Sequence, residues 1–416
     1  MEKLALLGGP KVREKPYPPY PIIGDEEKQA VMKVLERGRL SEFLALPLDV
    51  FYGGQKVREF EKLVADYHGI KHAVAFNSAT AALHAAVVAC GVPPLHEVIT
   101  TPYTFTSTAA CALMANAVPI FADVEVETFN IDPRSIEKNI STLTKAIIPV
   151  HLFGTPTNMD EIMKIAKKHD LKVIEDCAQA PGARYKGKVV GTIGDCGVFS
   201  FTENKNVTSG EGGMLITDDS EIAEVAQLIR NHGEALTIHR QKKYPMTILG
   251  WNYRITEMDA AIGIEQFKKL DRFNEDRRKL VKRIADGLKG IDGIMQQKVS
   301  KGDASVYFVM GMRYDAKKIG IPRDKFVEAV KAEGIPFGGG YVKPLYYNPI
   351  YHDNKPFFYK YYTGKANYEP GACPTAEHLY KEELVSTMVP RPPATEKDME
   401  DVVKAIKKVV ENRAAL

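Results

Sequence analysis

The chain has 416 residues, 44% of them apolar and 26% charged, and its 56 basic and 53 acidic side chains give a net charge of only +3, which argues against a nucleic-acid partner. Five cysteines without a CxxC pair indicate a reducing, cytoplasmic location and predict neither a disulfide framework nor a metal site. The start "MEKLALLGG" lacks a secretory leader pattern, and "ATAALHAAVVACGV" is too short to cross a bilayer, so we expect no membrane association.

Short β-rich runs alternate with helical patterns from about residue 70 to residue 220. The runs are "HAVAF", "EVITTPY", "PIFADV", "KAIIPVHLF", "KVIEDC", "CGVFSF" and "GGMLITD". Between two of them, Met159, Ile162, Met163 and Ala166 recur at i, i+3, i+4 and i+7, as one buried face of a helix requires. This alternation predicts an α/β fold with a mostly parallel mixed sheet flanked by helices.

A second group of elements follows the long helix-compatible stretch "TEMDAAIGIEQFKKLDRFNEDRRKLVKRIADGLKG", which ends near residue 290. Next come a β run, "VYFVMGMRY", a helix opened by Pro322, and a last helix opened by a capping-box pair, Thr395 and Asp398. We therefore predict a large domain that includes the N-terminal segment, at 1–290, and a smaller C-terminal α/β domain at 291–416.

The segment "FGGGYVKPLYYNPIYHDNKPFFYKYYTG", at 337–364, is crowded with Tyr, Phe, Gly and Pro. Such a segment is either an aromatic-packed loop or a wall of a substrate site. The sequence leaves both interpretations open.

Several chemically useful residues follow predicted strands, at the edge where the loops of a parallel sheet converge and ligands bind. "NSATAALHAA" opens a helix after the first strand, and its free amides can hold a phosphate. Phe105, Asp176, Gln179 and Lys205 follow other strands of the same sheet. An anion-binding helix start, an aromatic ring, an acid and a lysine are the parts that hold a phosphorylated pyridine aldehyde. Alone, Lys205 is equally consistent with a solvated charge and Asp176 with a capping residue.

The sequence resembles the DegT/DnrJ/EryC1/StrS family of sugar aminotransferases, which is part of fold-type I of the pyridoxal-phosphate (PLP) enzymes. The matching segments cover roughly residues 20–270 and stand in the family's order, with a weaker match at "CPTAEHLYKEELVSTMVPRPP". They are "NSATAALHAA", "TPYTFTSTA", "IFADVEVETFNIDP", "PVHLFGTPTNMD", "VIEDCAQAPGARYKGKVVGTIGD", "FSFTENKNVTSGEGG", "IRNHG" and "GWNYRITEMDAAIG". The resemblance implies a fold-type I architecture and pyridoxal 5'-phosphate as the cofactor.

The resemblance implies a role for individual residues on the lysine side of the site. Lys205 is similar to the lysine that forms the Schiff base with the cofactor and moves the proton. Ser200 matches the serine that binds the cofactor phosphate, assisted by the turn at Ala79 and Thr80. Ala79 replaces a glycine that is more usual in the family, and this weakens the prediction of a close backbone approach to the phosphate.

The remaining matched residues surround the cofactor ring or come from another subunit. By resemblance, Asp176 is the partner of the pyridine nitrogen, Gln179 lies next to the ring's 3-oxygen, and Phe105 stacks on the ring. Asn252, in "GWNYR", matches an asparagine that reaches the phosphate of the other subunit. The resemblance therefore implies a homodimer with shared active sites.

The implied reaction is a ping-pong transfer of an amino group, through pyridoxamine phosphate, from L-glutamate or L-glutamine to a keto-sugar or keto-cyclitol. "LALLGGPKVREKPYPPYP" and "GGGYVKPLYYNPIY" look more like the cyclitol branch, whereas Lys343 and Arg240 are candidates to meet the diphosphate of a nucleotide-linked sugar. Family members with histidine in place of the lysine become dehydratases, so Lys205 favours transamination. A dehydrating aminohydroxybenzoate-synthase-like reaction and a non-catalytic PLP-binding regulatory protein remain as alternatives.

Overall fold

The computed structural model describes residues 2–43, 49–234 and 246–416; Arg240 lies outside these ranges. The helices, in chain order, are α1 (Asp25–Arg37), α2 (Gln55–His68), α3 (Ala79–Ala89), α4 (Ser107–Met114), α5 (Pro133–Lys138), α6 (Met159–His169), α7 (Ser220–Arg230), α8 (Glu257–Phe267), α9 (Leu270–Gly287), α10 (Ala316–Ile319), α11 (Arg323–Ala332), α12 (Pro374–His378) and α13 (Glu396–Glu411). The strands are β1 (His72–Phe76), β2 (Glu97–Thr100), β3 (Val118–Phe121), β4 (Thr144–Ile148), β5 (Lys172–Asp176), β6 (Arg184–Tyr185), β7 (Lys188–Val189), β8 (Cys196–Ser200), β9 (Gly213–Thr217), β10 (Ile294–Gln296), β11 (Met310–Tyr314), β12 (Gly338–Gly339) and β13 (Leu384–Thr387).

A seven-stranded sheet in the order β1-β9-β8-β5-β4-β2-β3 forms the centre of the large unit. Each of its strands comes from one of the seven predicted β-rich runs, which confirms those predictions. The sheet is mostly parallel, as expected, because β9 alone runs against its two neighbours. The loops after β1, β2, β5 and β8 therefore meet at one edge.

Alternating side chains of the sheet enter two separate hydrophobic cores. In β1, Ala73 and Ala75 enter one core, whereas Val74 and Phe76 enter the other, on the side of α3 and α7. All four are apolar because helices cover both faces of the sheet. The predicted helix with Met159 is also confirmed: it is α6, and it packs on the first core.

A smaller antiparallel sheet, in the order β10-β11-β13-β12, packs with α9, α11 and α13 around a third core. Pro322 precedes α11, and the Thr395 hydroxyl and Asp398 carboxylate form the predicted capping box of α13. The predicted boundary at residue 290 falls between α9 and β10. It stays a prediction, because α9 contributes Ile284 to this third core, as does Leu4 near the N-terminus.

The N-terminal segment 4–21 crosses from the smaller sheet to the larger one. The buried Glu333 carboxylate accepts hydrogen bonds from the amides of Ala5 (2.8 Å) and Val12 (3.2 Å). The Lys408 ammonium lies 2.9 Å from Glu333 and donates to the carbonyl of Pro10 at 2.7 Å. These bonds fix the start of the segment on the C-terminal unit.

The structure differs from the sequence prediction in the long helical stretch, which divides into α8 and α9 at Lys268 and Lys269. The change of direction has a physical reason, because α8 packs against α1 and α2 whereas α9 packs against α13, and one straight helix cannot do both. The aromatic segment 337–364 proves to be mostly packed, with Tyr346 fully buried. No helix within the described ranges combines the length and the apolarity needed to cross a membrane.

Candidate active site

A cavity of about 430 Å³ opens where the loops after β1, β2, β5 and β8 meet. It brings together every residue that the sequence assigned to the cofactor except Asn252; Lys343 does not line it, and Arg240 lies outside the described residues. Its walls are formed by Ser78, Ala79, Thr80, Leu83, Thr104, Phe105, Ser107, Thr108, Asp176, Ala178, Gln179, Ser200, Thr202, Asn204, Lys205, Glu211, Phe308, Val309, Tyr341 and Met388.

Lys205 lies in the turn that follows β8, where its amide donates to the carbonyl of Thr202 at 3.0 Å. Its side chain extends into the cavity, and Nζ lies 4.1 Å from the centre of the Phe308 ring. Burial lowers the pKa of Lys205 from 10.5 to about 8, although the negative charge of Asp176 acts in the opposite direction. A buried amine that gives up its proton near neutral pH is suited to act as a nucleophile and a base.

Asp176 ends β5 and is almost completely buried beside the cavity. Its Oδ2 accepts a hydrogen bond from the Thr108 hydroxyl (2.8 Å) and its Oδ1 accepts one from the Ala178 amide (3.0 Å). Burial raises the pKa of Asp176, while these two hydrogen bonds and the charge of Lys205 act to lower it. The carboxylate is thus held in one orientation with a cation across the cavity.

The start of α3 and the end of β8 form a polar pocket suited to an anion. The Ser78 hydroxyl caps α3 by accepting from the Ala81 amide (3.2 Å), and the first helical amides, at Ala79 and Thr80, have no acceptor within the helix. The Thr80 hydroxyl lies 2.6 Å from that of Ser107, and Ser200 lines the same cavity. Free amides and hydroxyl groups at a helix N-terminus attract a phosphate.

A different close approach, between two backbone segments, is made at the start of α3 by Gly213; the expected effect of Ala79 on the approach to the phosphate stays a prediction. A Cβ at Gly213 would lie 2.4 Å from the backbone carbon and oxygen of Ser78 and 2.5 Å from the amide nitrogen of Ala79. Only glycine therefore lets the start of β9 pack against the start of α3. The sequence provides this glycine in "GEGG", on the facing strand rather than in the turn itself.

Gln179 and Phe105 line the cavity in different ways. The Gln179 side chain is buried and fixed, because its oxygen accepts from the Phe153 amide (2.9 Å) and its nitrogen donates to the Tyr341 hydroxyl (3.1 Å). The Phe105 side chain is 60% exposed and covers the cavity from the solvent side.

Asn252 does not line the cavity. It is exposed, and its side-chain oxygen accepts from Arg254 Nε at 2.9 Å. Its predicted role requires the cavity of another subunit, and that role stays a prediction.

Thr108, Phe308 and Tyr341 are among the cavity residues that the sequence reasoning did not single out. Thr108 stands in the matched segment "TPYTFTSTA", and its place in the first turn of α4 was the available signal. Phe308 lies just before β11, and Tyr341 comes from the aromatic segment. That segment is therefore a packed loop that also supplies one residue to the wall.

A buried group behind Asp176 has the residue types of a metal site, namely His151, Glu175 and Cys177. Its nitrogen and oxygen atoms are already engaged: His151 Nε2 lies 3.1 Å from Glu175, and Nδ1 accepts from the Thr157 amide at 3.0 Å. Although burial opposes it, hydrogen bonds lower the pKa of Glu175; the donors are His151 and the amides of Gly191, Ile193 and Gly194. These bonds fix the end of β5 and so the position of Asp176.

Comparisons with known proteins find a family model, relatives and solved structures that match most of the length of this chain. A model described as the DegT/DnrJ/EryC1/StrS aminotransferase family matches residues 22–407. The chain is 32% identical to a putative L-glutamine:3-amino-2,3-dideoxy-scyllo-inosose aminotransferase of Micromonospora echinospora, over 100% of this chain and 99% of that protein. It is 37% identical to the UDP-N-acetyl-3-dehydro-alpha-D-glucosamine 3-aminotransferase of Acidithiobacillus ferrooxidans, over 82% and 85%. The X-ray structure of an aminotransferase from Psychrobacter cryohalolentis superposes with a TM-score of 0.84 at 29% identity, over 95% and 99%.

Proposed function

The chain belongs to the DegT/DnrJ/EryC1/StrS family of PLP-dependent aminotransferases, and we propose that it transfers the amino group of L-glutamate or L-glutamine to a keto-sugar or keto-cyclitol. The transfer takes place in two successive half-reactions, the donor leaving as a 2-oxo acid before the ketone binds. The observation that carries the proposal is a half-buried lysine, Lys205, with a lowered pKa in a cavity that also holds a buried carboxylate, Asp176.

The residues that line the cavity fit pyridoxal 5'-phosphate. The Lys205 amine is available for the aldehyde, and the Asp176 carboxylate is an acceptor for the proton on the ring nitrogen. The hydroxyls of Ser200 and Thr80 and the amides at the start of α3 supply donors for the phosphate. Phe105 presents a flat surface for one face of the ring. These are the contacts through which we propose that the cofactor is held.

Lys205 and Asp176 have different roles in the proposed reaction. Bound PLP supplies a carbonyl carbon that takes up the amino group and a ring that withdraws electrons from the carbon losing its proton. Lys205 takes up and releases a proton at Nζ, and a pKa of about 8 leaves part of the population neutral at pH 7. Burial raises the pKa of Asp176, but the hydrogen bonds from Thr108 and Ala178 favour its ionised form, whose negative charge would stabilise a proton on the ring nitrogen.

The acceptor class is proposed from the two matched segments that favour the cyclitol branch, and both reach the site. Tyr341, from "GGGYVKPLYYNPIY", lines the cavity. Tyr20, at the end of "LALLGGPKVREKPYPPY", donates a hydrogen bond to the carbonyl of Lys205. Lys343 was a candidate to bind the diphosphate of a nucleotide-linked sugar. Its Nζ instead lies 4.8 Å from the centre of the Tyr347 ring. A keto-cyclitol is therefore the first acceptor to test, with nucleotide-linked keto-sugars as the second class.

We also propose a homodimer with shared sites and a cytoplasmic location. Met246 and Leu249 are 64% and 70% exposed beside Asn252, and an apolar surface of this kind suits a contact with a second copy. All five cysteines are free thiols, which suits a reducing compartment.

The test of the proposed function is a covalent trap followed by an assay of both half-reactions. Wild type, Lys205→Ala, Asp176→Asn and a surface control, Lys317→Ala, are incubated with PLP and reduced with borohydride, and the modified peptide is identified by mass spectrometry. We expect PLP on Lys205 in wild type and in the control Lys317→Ala. In Lys205→Ala we expect no PLP on the corresponding peptide or on Lys317. Asp176→Asn should retain the adduct and lose turnover, because it lacks the charge that stabilises the ring proton.

Turnover is then measured with L-glutamate and L-glutamine against a panel of keto-cyclitols and nucleotide-linked keto-sugars. Release of a 2-oxo acid without any acceptor shows the first half-reaction. An adduct at other lysines, or Lys205→Ala with the activity of wild type, would contradict the proposal.

Shared sites are tested by mixing inactive variants. Lys205→Ala and Asn252→Ala subunits, each inactive alone, should together regain about one quarter of the wild-type activity, because about half of randomly formed dimers carry one complete site. Absence of recovery, with mixed dimers shown by native mass spectrometry, would contradict a role for Asn252 across the interface.

A further inference from the structure

The backbone of Lys205 is held from outside its own loop by Tyr20. The Tyr20 hydroxyl donates a hydrogen bond to the Lys205 carbonyl, across 185 residues of sequence. Within the loop, the Lys205 amide binds the Thr202 carbonyl, and the next residue, Asn206, donates through its side chain to Asn274 at 2.8 Å. The amide and the carbonyl of Lys205 therefore have partners on opposite sides.

The direction of the Tyr20 hydrogen bond is fixed by a buried arginine, Arg277. The Arg277 side chain is only 1% exposed and donates to the Tyr20 hydroxyl (3.1 Å) and to the Tyr307 carbonyl (3.2 Å). A guanidinium can only donate hydrogen bonds, so the hydroxyl must accept from it and direct its own proton to Lys205. The Tyr20 ring is also fixed, because the Arg391 guanidinium lies 4.2 Å above it.

Arg277 would be a costly residue to bury for packing alone. Its two hydrogen-bond acceptors among the described residues are uncharged, and burial lowers the pKa of Arg277. Burying a charge without an opposite charge is unfavourable. The arrangement is accounted for if the guanidinium serves to hold Tyr20 in place.

We propose that Tyr20 is a positioning residue for Lys205: its hydroxyl, oriented by Arg277, holds the Lys205 carbonyl and thereby the direction in which the side chain leaves the turn. The inference rests on the proposed function, in which Lys205 carries the chemistry. With the peptide plane fixed, the amine is directed into the cavity beside Asp176. Without the bond, the Lys205 carbonyl loses this partner, the peptide plane can turn although the Asn206 side chain stays bound, and Nζ gains access to water.

Tyr20→Phe tests the proposal, because it removes the hydroxyl and keeps the ring. The control is Tyr17→Phe, three residues earlier in the same segment, whose hydroxyl is buried and has no hydrogen-bond partner among the described residues. Lys205 of the cofactor-free proteins is acetylated with acetic anhydride over a range of pH, and the extent of modification is read by mass spectrometry. In wild type and Tyr17→Phe, acetylation of Lys205 should reach half of its maximum near pH 8, the pKa of about 8 for this lysine. In Tyr20→Phe this midpoint should move towards pH 10.5.

Steady-state kinetics of the loaded enzymes supply a second readout. Tyr20→Phe should lower kcat roughly three- to tenfold, the kinetic equivalent of one lost hydrogen bond, with the donor KM within about twofold of wild type. An unchanged acetylation midpoint in Tyr20→Phe would overturn the inference, and so would a lowered melting temperature with the midpoint and kcat unchanged, since that is a merely structural role. If wild type binds PLP but transfers no amino group, the proposed function fails, and the acetylation profile alone still decides whether Tyr20 positions Lys205.

Discussion

Replacing Lys205 with methionine should stabilise the cofactor-free protein at pH 7, even though it abolishes the proposed chemistry. Methionine has a similar length and no charge, so the variant avoids the cost of holding an ammonium inside the cavity. That cost is the reason why burial lowers the pKa of Lys205 from 10.5 to about 8.

The magnitude follows from the pKa difference. At about 1.4 kcal/mol per pKa unit, the fall from 10.5 to about 8 corresponds to roughly 3 kcal/mol against the charged form. The side chain is half-buried and its ammonium lies over the Phe308 ring, and both solvent screening and this contact offset part of the cost. We therefore expect a gain of about 1–2 kcal/mol in the free energy of unfolding for Lys205→Met at pH 7.

The gain in stability of Lys205→Met over wild type should become smaller as the pH rises above 8. Below pH 8, Lys205 is charged in both the folded and the unfolded chain, so the folded state bears the whole cost. Between pH 8 and 10.5 the folded chain gives up the proton while the unfolded chain keeps it, so wild type gains stability relative to the variant. The difference between the two should disappear above pH 10.5.

The assay is guanidinium unfolding of both proteins, stripped of cofactor and at equal protein concentration, at pH 7 and at steps up to 10.5. The matched control is Lys317→Met, which alters an exposed lysine. If Lys205→Met is no more stable than wild type at pH 7, or its advantage stays constant over this range, Lys205 is not desolvated in the folded chain and the assignment of a lowered pKa is wrong.

Three further predictions concern the acid, the anion pocket and the fold. Thr108→Val removes the 2.8 Å hydrogen bond to Asp176 and so raises the pKa of that carboxyl further; the acid limb of the pH–rate profile should move to higher pH, and an unmoved limb would contradict the role of Thr108. Gly213→Ala places a Cβ 2.4 Å from the Ser78 backbone, so it should lower stability by about 1–3 kcal/mol and weaken PLP binding in a fluorescence titration; unchanged affinity would show that the pocket at α3 does not hold the phosphate. Thr395→Ala removes the cap of α13, so it should lower stability by about 1 kcal/mol and leave kcat at the wild-type value, as thermal melting and kinetics will show.

The strands of the large sheet could be predicted because the signal for each is local. Every one is an apolar run bounded by turn residues, as in "HAVAF" and "KVIEDC". The direction of β9 could not be predicted in this way, because an apolar run has the same pattern in a parallel and an antiparallel pair. The short strand Gly338–Gly339 has no side chains to give a pattern, and only its pairing with β13 defines it.

In the candidate site, too, the sequence predicts the residues that have a local pattern and not those that depend on long-range contacts. Asp176, Gln179 and Ser200 directly follow or end strands, so their shared edge follows from the βαβ pattern alone. Tyr20 contacts Lys205 across a long sequence separation, and neither "PYPPYP" nor the lysine loop contains any sign of the partner. The role of Gly213 was also hidden, because it depends on how closely β9 approaches α3 and not on either segment alone.

The path of the N-terminal segment determines the order in which the protein can be completed during its synthesis. Ala5 pairs with Glu333, 328 residues later, and Pro10 pairs with Lys408, 398 residues later, so the segment is synthesised well before its partners. The large sheet can form from residues 72–217 long before these partners exist. The hydrogen bond between Pro10 and Lys408 can form only after α13 has been translated, so the segment that carries Tyr20, and with it the outer support of the Lys205 loop, becomes fixed late in the folding of the chain.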